Sequence, residues 1–221
     1  MAAGESDASG GRGKVLEDGV VIRTITAFLT LTPDSATHKE MMEKALDFLR
    51  NAYHVYSEVG YVVQTIRIAT NSFEEWGDDA VVERVRALDE QVAAYAASNT
   101  SLPPILLCVG PAKSLDGARI VTDVLLACPS VTATVCALSR EEDSDGGIVD
   151  ESMSDIAATV MTRLASETKG GTGNFNFAAL CNVAPCTPFY PAAYAKSDEE
   201  GGLAFGIGMQ TADMFVSQVC G

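Results

Sequence analysis

Two spacings of apolar residues alternate along this chain: short β-branched runs, and longer stretches marked as one face of a helix. Val20 to Leu31 is apolar and β-branched with a single charge, Arg23, and stops before Pro33, which predicts a buried strand. Thr37-His38-Lys39-Glu40 fits a capping box. Met42, Ala45, Leu46, Leu49, Tyr53 and Tyr56 then recur at helical spacing until Gly60 supplies a stop. Tyr61 to Thr70 predicts a second buried strand. After the turn-like Asn71-Ser72, Asp78 or Asp79 is placed to cap a helix that carries Val82, Val85, Leu88, Val92 and Tyr95 on one stripe.

Behind Pro103-Pro104 the pattern repeats. Ile105 to Val109 predicts a third strand ending at Gly110-Pro111, and Ile120, Val121, Val124 and Leu125 mark the next helix. Val131 to Leu138 is the fourth strand. A polar loop, Ser139 to Gly147, leads to a helix with Ile156, Ala157, Val160, Met161 and Leu164 in register. Gly170, Gly171 and Gly173 break the chain before a fifth strand near Asn176 to Val183, and a sixth begins near Leu203. Strands alternating with long helices imply an α/β fold of parallel βαβ units with right-handed crossovers.

The composition bounds what such a fold does. A chain of 221 residues is long enough for one domain with a sizeable core, expected over 20–221 behind a disordered arm at 1–19. The 30 acidic against 15 basic residues give a formal charge of -15, which argues against nucleic acid or an anionic membrane as partner. No long uncharged apolar stretch exists, and a cytoplasmic protein is expected. Cys108, Cys128, Cys136, Cys181, Cys186 and Cys220 form no Cys-x-x-Cys pair, so reduced thiols are expected.

Candidate chemistry begins with Arg67, a charge inside an apolar strand and, by alternation, on the face of Thr65 and Ala69, with Gln64, Ile66 and Ile68 opposite. A buried guanidinium needs a partner: either a carboxylate of the protein or an anionic ligand held by its two-pronged fork. Arg23 makes the same case more weakly, from nearer a strand end. Asn174 and Asn176 stand at the mouth of the fifth strand, where their amides either meet a ligand or satisfy the turn backbone.

Cys181 lies within a strand, while Cys186 sits in a Pro-bounded loop as a possible nucleophile. The only histidines, His38 and His54, fall at or in the first helix, so no base is assigned to that thiol. No Cys/His spacing suits zinc, and no metal is expected; Glu141, Glu142, Asp143 and Asp145 are most simply a solvated loop. Gly170-Gly171-Thr172-Gly173 matches neither a Walker loop nor a dinucleotide fingerprint, so no cofactor is named.

Three segments, taken together, resemble a known family. Ile22-Arg23-Thr24-Ile25-Thr26, then Val63 to Asn71, then Thr187-Pro188-Phe189-Tyr190-Pro191-Ala192-Ala193-Tyr194 with Ala204-Phe205-Gly206-Ile207-Gly208 look like the domain of unknown function 711 family, also called uncharacterised protein family 0210, over about residues 20 to 215. The resemblance implies a fold like that of the pyruvate formate-lyase group, a ten-stranded α/β barrel of two five-stranded parallel halves, of which this chain resembles the amino-terminal half. No Arg-Val-x-Gly-Tyr-like segment and no adjacent Cys-Cys pair is present, so the fold carries no glycyl-radical reaction with it.

Two functions are then expected in competition. One is an enzyme, or enzyme half, acting on a small anionic metabolite in a barrel interior, with Arg67 holding the anion, Arg23, Gln64 and Thr65 lining the same end, and Asn174 and Asn176 orienting the ligand. The alternative is a non-catalytic assembly module whose arginines pair internally and whose open sheet face docks a complementary carboxy-terminal half or a second copy. The predicted strands one to five contain no acidic residue, which favours the first.

Overall fold

The computed structural model describes residues 20–77, 80–139, 148–197 and 202–211. The expectations for the arm at 1–19, for Asp78 and Asp79, for the acidic loop at 141–145 and for Cys220 lie outside those residues. The strands are β1 (Val21–Thr30), β2 (Ile66–Ser72), β3 (Ile105–Ala112), β4 (Val131–Ser139), β5 (Ile148–Val149), β6 (Phe177–Cys181) and β7 (Gly202–Gln210). The helices are α1 (His38–Glu58), α2 (Val81–Ser98), α3 (Leu115–Ala127) and α4 (Glu151–Glu167).

Hydrogen-bonded neighbours run β4, β3, β2, β1, β7, with β5 and β6 both pairing β4. Strands β1, β2, β3, β4 and β6 are mutually parallel. Because β1 to β4 neighbour one another in chain order, right-handed crossovers send α1 to α3 to one face of the sheet. Ile25, Ile66, Leu107 and Val131 point to that face and form the main core with Leu46, Val85, Val121 and Val160 of the four helices. The sixth strand of the sequence reading corrects the all-parallel expectation: β7 runs antiparallel to β1 and extends the sheet beyond it, on the side away from β6.

Three local expectations also change. Thr37 has helical dihedrals and makes no side-chain cap, since a 3-10 turn capped by Asp34 runs straight into α1; a capping box needs an extended residue at that place. The second strand begins at Ile66, not Tyr61: Val63 makes only an isolated bridge to Ile22, and Gln64 N–H donates to the Ile22 carbonyl at 3.0 Å. The third continues through Gly110-Pro111 to Ala112. A Cβ on Gly110 would stand 2.2 Å from the Asn71 backbone, so glycine lets the two strands approach where their register shifts.

Candidate functional site

Alternation sends every second side chain of the sheet to the face without helices. Phe28, Ala69 and Cys108 form a small separate cluster there with Ala193 and Ala195. Thr24, Thr26 and Thr30 of β1 and Thr132 and Thr134 of β4 are buried hydroxyls. Arg67 belongs to the same face, two residues before Ala69 and in register with Thr26.

The chain after β6 lies across this face as a strap. Ala195 N–H donates to the Thr70 carbonyl at 2.9 Å, the Thr30 hydroxyl to the Lys196 carbonyl at 2.8 Å, and the Thr26 hydroxyl to the Pro188 carbonyl at 3.4 Å. Strand β7 leaves room for it: a Cβ on Gly206 would stand 3.1 Å from the Phe28 ring and 3.7 Å from Pro188 Cβ. Asn182 and Cys186, both with left-handed φ (55° and 63°), bracket the turn that starts the strap.

Arg67 is 7% exposed. Its Nη1 donates to the Pro188 carbonyl at 3.3 Å, and its Cζ lies 5.1 Å from the centre of the Tyr190 ring. Among the described residues the buried Nε has no partner and Nη2 makes no hydrogen bond. The ionisable groups acting on the guanidinium are Cys108, Tyr190 and Arg23, so among the described residues no carboxylate neutralises it. Burial lowers Arg67 from its ordinary value of 12.5, yet an arginine remains charged at neutral pH. Burial likewise pushes the Cys108 thiol to about 11 and the Tyr190 phenol to about 12, so both stay protonated beside it.

The other expected site residues divide. Arg23 is exposed, and its Nη1 donates to Gln64 Oε1 at 2.5 Å; the Thr65 hydroxyl donates to the Arg23 carbonyl. Gln64 therefore meets Arg23 instead of pointing away, because strand alternation begins only at Ile66. Asn174 and Asn176 sit at the amino end of β6, not at the carboxyl ends where open parallel sheets bind ligands. Asn174 Nδ2 donates to the Met161 carbonyl of α4, and Asn176 Nδ2 to the Pro129 carbonyl, which are backbone-satisfying roles. Asn176 Oδ1 also accepts the Tyr190 hydroxyl at 2.9 Å, which ties it to the Arg67 neighbourhood through one side chain.

Cys186 is exposed, as expected; Cys181 is the last residue of β6, within the strand as expected, and at that end it is exposed too. Both histidines belong to α1, on the helix-covered side of the sheet. His38 Nε2 donates to the Thr32 carbonyl at 2.7 Å, and His54 is exposed beside Tyr53. Sequence reasoning passed over Thr26 and the Pro188 carbonyl. The signal was present in β1, where Thr24, Thr26 and Thr30 put hydroxyls on one side of an otherwise apolar run.

Two open cavities lie elsewhere. One of about 1020 Å³ separates α1 from α2 on the helix side, with His38, Arg84 and Gln91 in its wall. Another of about 480 Å³ lies at the carboxyl ends of β3, β4 and β6, with Lys113, Cys136, Asn182 and Tyr194 around it. Next to that cleft, Glu74 accepts the Lys113 and Ser114 N–H groups at 2.7 and 3.0 Å, and Glu75 pairs with Lys113 Nζ at 2.8 Å. Those charges are satisfied within the protein, unlike Arg67. Among the described residues no His/Cys/Asp/Glu group is arranged to hold a metal ion, and no helix is long and apolar enough to cross a membrane.

A family model described as "Uncharacterised ACR (DUF711)" matches residues 14–220. No curated protein matches the chain.

Proposed function

The chain belongs to the DUF711 family, and we propose that its function is to bind a small anionic molecule on the helix-free face of the sheet, with Arg67 as the anion's seat. One observation carries the reading: a guanidinium 7% exposed, with Nε unpartnered and no carboxylate beside it among the described residues, in a chain of charge -15. Leaving a cation buried without a counter-charge costs several kcal/mol, so a merely structural role predicts a paired one. Tyr190, held by Asn176, fixes the plane of the guanidinium; Arg23, Gln64 and Thr65 stand at the same amino end of the strands and guide an anion toward it. The test is thermal unfolding of the intact chain with pooled small metabolites, because a ligand that binds only the native state raises the melting temperature. Pools containing organic anions raise it under this reading; a response confined to neutral or cationic pools contradicts it.

A second reading, assembly, rests on a different observation. Strand β7 carries no charge from Gly202 to Gln210, and on its helix side Leu203, Phe205 and Met209 are 44%, 56% and 62% exposed. An uncharged edge strand with an open apolar side is a docking edge. The five parallel strands equal in number one half of the barrel that the family resemblance implies, and β7 then stands where a complementary half, or a second copy, joins. Light scattering at micromolar concentration tests this reading, and a dispersed monomer that binds no hydrophobic dye removes it.

A further inference from the structure

We infer that the ligand of this seat is a monocarboxylate, held side-on by Nε and Nη2 of Arg67, while the Pro188 carbonyl, which also accepts from the Thr26 hydroxyl, holds Nη1. The inference rests on the reading of Arg67 as an anion seat and adds the class of anion. The first argument is geometric. Nη1 is already engaged by the Pro188 oxygen, which also accepts from Thr26. Among the described residues Nε has no partner and Nη2 makes no hydrogen bond, so the Nε/Nη2 edge is vacant on both nitrogens, whereas Nη1 already spends one hydrogen. That edge presents two parallel N–H groups whose spacing matches the two oxygens of a carboxylate.

Approach is also restricted. Tyr190 covers one face of the guanidinium plane, with its hydroxyl anchored on Asn176, and closes that face to a ligand. Charge then selects among oxyanions. Among the described residues Arg67 is unpaired with any carboxylate, and the other cation acting on it, Arg23, is exposed and spends Nη1 on Gln64. A monoanion is neutralised by this site, whereas a phosphate dianion leaves a buried negative charge in an already acidic chain.

The experiment follows the Arg67 Nε–H resonance of the intact, nitrogen-15-labelled chain during titration with acetate, inorganic phosphate and chloride at fixed ionic strength. The resonance is assigned by its loss in Arg67→Lys or, should that variant not fold, by its proximity to the Tyr190 ring protons. Acetate is expected to shift it saturably, at concentrations where phosphate and chloride do not. A saturable shift with phosphate at equal or lower concentration overturns the carboxylate assignment and leaves the anion seat standing. Absence of any saturable shift with both acetate and phosphate overturns the seat as well.

Discussion

The guanidinium carbon of Arg67 lies 5.1 Å from the centre of the Tyr190 ring, although the two residues are far apart in sequence and join a strand to the strap that crosses it. The contact orders both partners: the ring is held at its far end by Asn176, and the cation rests on its face. Tyr190→Phe keeps the ring and loses one hydrogen bond, at a cost of about 1 kcal/mol. Tyr190→Ala also loses the packed ring and costs roughly 3 kcal/mol or more. Denaturant unfolding measures both, and equal losses would show that the ring does not seat Arg67.

Arg67→Met separates a ligand seat from a structural clamp. Methionine fills similar space without a charge to desolvate, so the unliganded protein is expected to be as stable as the parent or more stable. A loss greater than about 2 kcal/mol in denaturant unfolding would mark Arg67 as structural.

Much of the fold was legible because its periodicities are strong. The apolar stripe Met42, Leu46, Leu49 did become the buried side of α1, and Val85, Leu88, Val92 that of α2. The direction of β7 was not legible, since Gly202 to Gln210 pairs equally well either way and only the long-range return to β1 decides it. Arg67 stood out as a charge among Ile66, Ile68 and Ala69, and it is indeed buried. Its surroundings were not legible: Pro188 lies 121 residues away, and the bond it accepts is to a backbone carbonyl that no residue type announces. Asn174 and Asn176 stand beside β6 as expected, but their amide nitrogens are spent on the Met161 and Pro129 carbonyls, backbone partners that no residue type announces.

Gly110 tests the close approach of β2 and β3. Because a Cβ there would stand 2.2 Å from both the carbonyl carbon and the oxygen of Asn71, Gly110→Ala must push backbone against backbone. The expected loss is about 3 kcal/mol in denaturant unfolding, at the upper end for overpacking. A loss no larger than that of an exposed glycine would refute the packing described.

Acid sensitivity is expected from Glu75. Burial pushes its carboxyl up, but hydrogen bonds from Lys113, Ser197 and Asn71, with the Lys113 charge, outweigh burial and hold it below the usual 4.5. The unfolded chain therefore binds more protons, so the stabilisation is present above the unfolded value and is lost as pH falls through the folded one. Between about pH 5 and about pH 3 the parent loses stability more steeply than Glu75→Gln. Parallel curves for the two proteins would remove Glu75 as a source.

Thiol reactivity provides a map of the strap side. Cys181 and Cys186 are exposed, whereas Cys108 and Cys128 are buried and burial raises both thiols, Cys108 to about 11. An alkylating reagent added to the native protein, followed by peptide mass spectrometry, is expected to modify Cys181 and Cys186 well before the buried pair. Early modification of Cys108 would show that the strap does not cover the Arg67 face.

The most direct measurement is titration calorimetry of a short aliphatic carboxylate into the intact chain and into Arg67→Met, at fixed ionic strength. A saturable heat in the parent that disappears in a folded Arg67→Met protein is the predicted result. Equal heats in the two proteins would contradict Arg67 as the anion seat.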